Sequence, residues 1–391
     1  MGNGSYAAAQ FLTILLIGKF LGSEKVGIYS FALAIVTPLL IFLNFGLRMQ
    51  LMTDIKSEIP ISIYKKAQLI ASLLGLIISV IICIVFNLQY ELSLIVIILA
   101  LMKAVEYQSE LYYGYLQRNG QNKVVSLSLF VKSMVFIISI CIGIYYEKDL
   151  LAIVAYSAIA YCLIGYFFDK KTIRKRIKIN NDVFKNEYLV KILKIGLPLS
   201  LSTLLISLNV NFPRIILGKY DMTQLGYFAS IMAFMQIGTL LIVSIGQVLS
   251  GKMANSYNVG NYKNYYNLAK KGIFCAFFIG LFFVIFAYFF GGLTMNYIFN
   301  YSSNLMLYIF MLAPFLYMLT IFGYIQSATR KSKNILFVNI LVFFLVSFLS
   351  LFLIPEYEIF GLVVSLLSSF ILGCVIYTII LIKGYKGKVL S

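Results

Sequence analysis

The sequence predicts an all-α integral membrane protein: about twelve transmembrane helices in two parallel-repeat six-helix bundles, with both termini cytoplasmic. Three observations carry this. Of the 391 residues, 61% are hydrophobic and only 12% charged, with a mean hydropathy of +0.93, whereas a soluble domain is about a quarter charged. Apolar runs of roughly 20 residues, the length that crosses a bilayer, recur along the whole chain. Basic residues gather in alternate connections between those runs.

The runs fall at 5–22, 27–52, 67–86, 92–116, 124–146, 150–168, 192–217, 225–249, 272–290, 304–325, 334–354 and 359–382. No basic segment precedes Lys19, so the first run reads as a retained span and not as a signal peptide. With the N-terminus inside, connections 53–66, 117–123, 169–191, 250–271, 326–333 and 383–391 are cytoplasmic and hold 23 Lys and Arg. The opposite connections hold three: Lys25, Lys148 and Lys219. That asymmetry sets the orientation. The basic stretch 169–191 divides the chain into bundles 1–168 and 192–391; it reads first as a topology anchor of solvated charge and second as a docking site for anionic lipid or a partner.

A short repeat supports the division. Leu21-Gly22 followed by Val26-Gly27-Ile28-Tyr29 returns as Leu217-Gly218 followed by Leu225-Gly226-Tyr227-Phe228. Six spans separate the copies, so the repeats share one orientation, which is a transporter architecture.

Composition excludes several chemistries. The chain has no histidine and no tryptophan, so no His-containing zinc, haem or triad site exists. The five cysteines stand singly in apolar runs and read as small buried hydrophobes, with no metal or disulfide implied. A net charge of +18 is accounted for by the basic connections, without nucleic acid. The loops opposite the basic side are too short to fold over a substrate, which argues against an enzyme.

Charged residues within the spans mark candidate sites, because a charge in the bilayer core is costly. Lys19 and Lys194 lie near span ends and read as snorkelling. Arg48 and Arg214 also lie near span ends, where snorkelling and a functional role are equally open. In span four, Lys103, Glu106 and Glu110 occupy one face near the midplane, and Lys132 is embedded in span five. Two readings follow. One is a structural salt bridge, Lys103–Glu106 or Lys132–Glu110. The other is a hydrated cavity in which lysines attract an anionic head group and Glu106 or Glu110 exchanges ions. Polar stripes add Asn3, Tyr6, Gln10 and Thr13 in span one, and Thr37, Asn44 and Arg48 in span two after a kink expected at Pro38. They continue with Ser200, Thr203, Ser207, Asn211 and Arg214 in span seven between Pro198 and Pro213, and Gln236 and Gln247 in span eight.

Two segments resemble Wzx-type polysaccharide repeat-unit flippases of the multidrug/oligosaccharidyl-lipid/polysaccharide exporter superfamily. The first is Gly2 to Asp54, GNGSYAAAQ through LRMQLMTD; the second is Leu208 to Tyr265, LNVNFPRIILGKYDMTQLGYFAS onward. The elements that carry the resemblance are Leu47, Arg48, Thr53 and Asp54; Asn211, Pro213 and Arg214; and L-G-Y-F-A followed by Gly246-Gln247. Family members carry a basic stretch ahead of the G-N-G-x-Y run, which this chain does not show.

The resemblance implies a flippase of the bacterial cytoplasmic (inner) membrane that moves an undecaprenyl-pyrophosphate-linked oligosaccharide by alternating access, for O-antigen, capsule or another glycan. It implies a cationic cavity in which Arg48 and Arg214 match the motif arginines. The reading of the spans, not the resemblance, adds Lys103 and Lys132 as expected substrate-binding residues and Glu106 and Glu110 as ion-coupling candidates; Asn44, Asn211 and Gln10 join the substrate-binding set from the polar stripes. Expected partners are the lipid-linked glycan, the bilayer, and a polysaccharide polymerase with its chain-length regulator; no cofactor, metal or nucleic acid is expected. Two alternatives are a drug or cation exporter of the same fold, which would want an anionic pocket, and a membrane polymerase or glycosyltransferase.

Overall fold

The computed structural model describes residues 2–54, 59–167, 186–299, 304–329 and 332–389. Within them the chain forms thirteen helices. They are α1 (Gly2–Leu21), α2 (Ser23–Leu43), α3 (Leu47–Thr53), α4 (Ile61–Val85), α5 (Tyr90–Arg118), α6 (Asn122–Tyr146), α7 (Leu150–Ile164), α8 (Asn186–Tyr220), α9 (Met222–Asn258), α10 (Tyr262–Phe299), α11 (Leu305–Phe310), α12 (Ala313–Ala328) and α13 (Ser332–Val389). Most of the expected divider, residues 168–185, lies outside the described residues, as do 300–303 and the last two residues.

Eleven stretches are long and apolar enough to cross a membrane. The last of them, Lys333–Tyr385, has 53 residues. A straight helix of that length would run about 80 Å, far more than a bilayer core of about 30 Å. The chain turns within it: Glu358 takes a left-handed backbone (φ 49°), three residues after Pro355. The stretch is long enough for one crossing on either side of the turn, in line with the separate eleventh and twelfth spans that the sequence predicts.

Span two departs from expectation. Helix α2 continues through Pro38, which is buried, and ends at Leu43. The break falls at 44–46, where Phe45 (φ 46°) and Gly46 (φ 60°) both adopt left-handed backbone. Consecutive positive φ values cannot belong to a right-handed helix, so α3 starts afresh at Leu47. Pro198 and Pro213 likewise sit inside the continuous α8. Each proline removes one backbone bond, a loss that membrane helices tolerate.

The chain separates into two compact units, residues 1–207 and 208–391, with the division inside α8. In the first unit α5 is the hub and packs on α2, α3, α4, α6 and α7, while α1 lies along α6 and α2. In the second, α9, α10 and α12 pack on one another and α13 packs on α12. The second, third and fourth spans of each unit therefore form the same mutually packed group, the structural form of the sequence repeat. The turns that begin the repeat differ: Gly22 (φ 90°) precedes α2, whereas the Asp221 carboxylate caps α9 by accepting from the Thr223 and Gln224 amides. Outward faces remain apolar, as with Leu69, Leu73, Ile77 and Ile84 on α4 and Phe274, Phe278 and Phe282 on α10. Helices satisfy their own backbone groups, so such faces suit lipid.

Candidate functional site

The first unit gathers five embedded charges around α5. Positions 103, 106, 110, 113 and 117 follow helical spacing and make one polar face about 21 Å long. Lys103 and Glu106 form an ion pair at 2.7 Å. The Tyr6 hydroxyl of α1 closes it, donating to Glu106 Oε1 at 2.7 Å and accepting from Lys103 Nζ at 3.2 Å. Both charged side chains are largely buried, 14% and 13% exposed.

One turn further along, Arg48 Nη1 meets Glu110 Oε1 at 3.2 Å, and Arg48 Nη2 donates to Gln117 Oε1 at 3.2 Å. This pair is more open, 28% and 27% exposed. Gly114 positions it. A Cβ there would lie 2.7 Å from the Arg48 carbonyl oxygen, so only glycine lets α3 come this close to α5. At the end of α3, Arg118 donates to the Asp54 carbonyl at 2.8 Å. The Asp54 carboxylate accepts from the Ile59 amide at 3.2 Å. Arg48 is thus carried on a short helix tied at its end to the same α5 that holds its partners.

Lys132 is only 1% exposed. Its ammonium donates to Ser109 Oγ at 2.7 Å and to the Tyr113 hydroxyl at 3.1 Å, and it lies over the rings of Tyr113 and Tyr161. Of the two expected pairs, Lys103–Glu106 forms. Glu110 bonds Arg48, and the Lys132 side chain is enclosed instead of facing open water. A buried ammonium among hydroxyls and aromatic faces trades hydration for hydrogen bonds and ring quadrupoles.

Arg214 belongs to the second unit. Its guanidinium lies 5.5 Å from the Phe228 ring centroid, and its buried Nε–H has no hydrogen-bond partner among the described residues. Asn211 is half-buried one turn earlier on α8. Gln10 and Asn44 are half-buried, and no side-chain hydrogen bond joins them to the α5 face among the described residues. Ser200 and Thr203 donate to carbonyls of their own helix. The Asn3 side chain lies outside the described residues.

Sequence reasoning missed three polar contacts. Gln50 is 5% exposed and donates to the carbonyls of Phe45 and Ile192. Asn209 donates to Asn339 Oδ1 at 3.1 Å. Gln117 lies at a predicted span end, where only its i+7 spacing from Glu110 could have flagged it. Among the described residues no group of three or more acidic or cysteine side chains could hold a metal ion.

Residues 1–272 match the family described as polysaccharide biosynthesis protein. The chain is 27% identical over 388 residues to the capsular polysaccharide biosynthesis protein CapF of Staphylococcus aureus, covering 95% of this chain and 94% of that one. Among solved structures, the lipid II flippase MurJ in an inward closed conformation superposes with a TM-score of 0.75 at 14% identity, covering 97% and 86% of the two chains. An inward-facing multidrug resistance MATE family transporter of the MOP superfamily gives a TM-score of 0.74 at 14% identity, covering 97% and 95% of the two chains. At that identity these structures establish a shared fold of many membrane-crossing helices. The sequence match over more than two thirds of the chain establishes more: the protein belongs to the polysaccharide biosynthesis protein family.

Proposed function

We propose that this chain is a lipid-linked glycan flippase. It moves an undecaprenyl-pyrophosphate-linked oligosaccharide repeat unit across the bacterial cytoplasmic membrane by alternating access during surface polysaccharide synthesis. The observation that carries the reading is the charged face of α5, where three cations and two carboxylates are held inside one unit of a membrane protein. Family membership and the likeness to a capsular biosynthesis protein support the glycan; the fold shared with a lipid II flippase supports the lipid carrier.

The chemistry follows from the pairings. A pyrophosphate brings two or more negative charges and competes with Glu110 for the guanidinium fork of Arg48, where geometry favours phosphate oxygens. The same exchange at Lys103 releases Glu106. A carboxylate freed from its cation in a poorly hydrated site takes up a proton or a metal cation, which links headgroup binding to an ion gradient. Lys132 acts behind this face by holding the Tyr113 and Ser109 hydroxyls. Arg214, with an unsatisfied Nε–H, offers the second unit's anion contact. No G-x-x-x-x-G-K-[ST] sequence is present for nucleotide binding. A cation exporter would reverse the balance and place carboxylates in excess.

The test is surface glycan measured together with the lipid-linked oligosaccharide pool in cells that depend on this chain. Loss of surface glycan with a growing lipid-linked pool supports the flippase. Loss of both would place the defect before translocation.

A further inference from the structure

The second unit contains a cavity of about 470 Å³ at the ends of α9 and α12. Its walls include Ser250, Gly251, Tyr257 and Asn258 from α9, and Ser327 and Thr329 from the end of α12. The size falls within the roughly 300–1,000 Å³ of small-ligand pockets. No lining residue carries a charge.

The lining is rich in acceptors. Ser250 Oγ donates to the Gln247 carbonyl at 2.9 Å, and Thr329 Oγ1 to the Gln326 carbonyl at 3.1 Å. With those hydrogens committed, the Ser250 oxygen keeps its lone pairs for a ligand, and the Thr329 oxygen, which also meets the Tyr265 hydroxyl, keeps one. Two helices also end here, and the carbonyls of Asn255, Tyr257 and Gln326 accept from the amides that cap them, each keeping a second lone pair. Acceptors alone would suit a cation, but the helix ends beside the cavity carry Lys252 on α9 and Lys263, Lys270 and Lys271 on α10, with no acidic residue between positions 250 and 271. A neutral ligand with many hydroxyl donors fits both facts.

Tyr257 supplies the remaining element. Its ring is braced edge-on by Tyr262 and Tyr265, with centroids 5.4 and 5.3 Å away. A braced aromatic face beside hydroxyl and amide groups is an apolar platform within a polar pocket, the combination that a sugar ring requires. Along α9, Gln247, Gly251, Ala254 and Asn258 continue the same helical face. The glutamine noted in the sequence thus lies one turn above the cavity.

We propose that this cavity is a saccharide subsite that takes one sugar ring of the translocated glycan. Tyr257 lies against the ring's C–H face, and Ser250, Asn258 and Thr329 accept from its hydroxyls. The proposal rests on the flippase reading and adds to it where the glycan, as distinct from the pyrophosphate, is recognised.

Gly251 allows a clean test. A Cβ at Gly251 would meet nothing within 4 Å, and a larger residue suits a helix better than glycine. Gly251→Leu should therefore fold while filling the cavity. The purified full chain is tested against two probes: lipid-linked oligosaccharide extracted from the strain that carries this gene, and undecaprenyl pyrophosphate bearing no sugar. Gly251→Leu and Tyr257→Ala are each expected to weaken binding of the oligosaccharide lipid about tenfold, the size of one or two lost hydrogen bonds, and to leave the bare pyrophosphate lipid unchanged. Unaltered oligosaccharide binding by Gly251→Leu overturns the proposal. Equal weakening of both probes also overturns it, because the cavity would then be reading the pyrophosphate. Failure of the unsubstituted chain to bind either probe would instead remove the flippase reading on which the proposal rests.

Discussion

Lys103 and Glu106 stand one turn apart on α5 with Nζ 2.7 Å from Oε2, and the Tyr6 hydroxyl of α1 bonds both. The arrangement joins the first and fourth spans of the unit through a polar triangle in an otherwise apolar layer. A pair of this kind serves as a lock, as a binding element, or as both, and substitutions separate the roles.

Glu106→Gln leaves an ammonium without its carboxylate, and Lys103→Met leaves a carboxylate without its ammonium. Removing one partner of a buried pair costs about 3–5 kcal/mol. Each single variant is therefore expected to reduce protein abundance and thermal stability. The combined variant Lys103→Met, Glu106→Gln should regain most of that stability while glycan export stays low. Thermal unfolding in detergent and surface glycan at matched abundance check this. Recovery of export together with stability would mean that the pair only locks helices.

The twelve crossings were legible because hydropathy depends on local composition alone. The split of the last stretch was legible too, from Pro355 and the short polar run around Glu358. What the sequence hid was partner choice. Glu110 was open to Lys132 by spacing, but α3 brings Arg48 against α5 at Gly114, and Lys132 turns to Ser109 and Tyr113. The pairing of Arg48 with Glu110 depends on residues 62 positions apart, and on a helix break at Phe45 and Gly46 that no proline announces. Phenylalanine with positive φ is not a sequence signal. Gln50 and Asn209 escaped notice for a similar reason: a lone amide in an apolar run gives no hint of its partner.

The enclosure of Lys132 gives a second expectation. In a background lacking the five native cysteines, Lys132→Cys should resist a small charged thiol reagent, while Arg48→Cys, at the more open pair, should react. Labelling is read by mass spectrometry. Rapid modification at 132 would show that water reaches behind the Tyr113 face.

Packing in the second unit hinges on Gly280. A Cβ there would run into the backbone of Pro314 and Ala313, so α10 and α12 touch only because the position is glycine. Gly280→Val should cost about 1–3 kcal/mol or more through overpacking. Gly292→Ala, where a Cβ meets nothing within 4 Å, should be neutral. Melting temperature in detergent compares the two, and equal stability would refute the close contact.

The 23-to-3 distribution of basic residues predicts that both termini face the cytoplasm. A reporter that is active only outside the cytoplasm should be silent when fused after Ser391 and active when inserted just after Phe299, where α10 ends. The opposite pattern would invert the topology and with it the side from which each cation is reached.

Export by arginine variants tests whether embedded cations bind the anionic headgroup during translocation. Arg48 and Arg214 are each changed to lysine and to alanine, and surface glycan and the lipid-linked pool are measured at matched protein level. Lysine keeps the charge but loses the fork, so partial export is expected. Alanine should abolish export while lipid-linked oligosaccharide accumulates on the cytoplasmic leaflet. Normal export by both alanine variants, with no accumulation, would contradict the account.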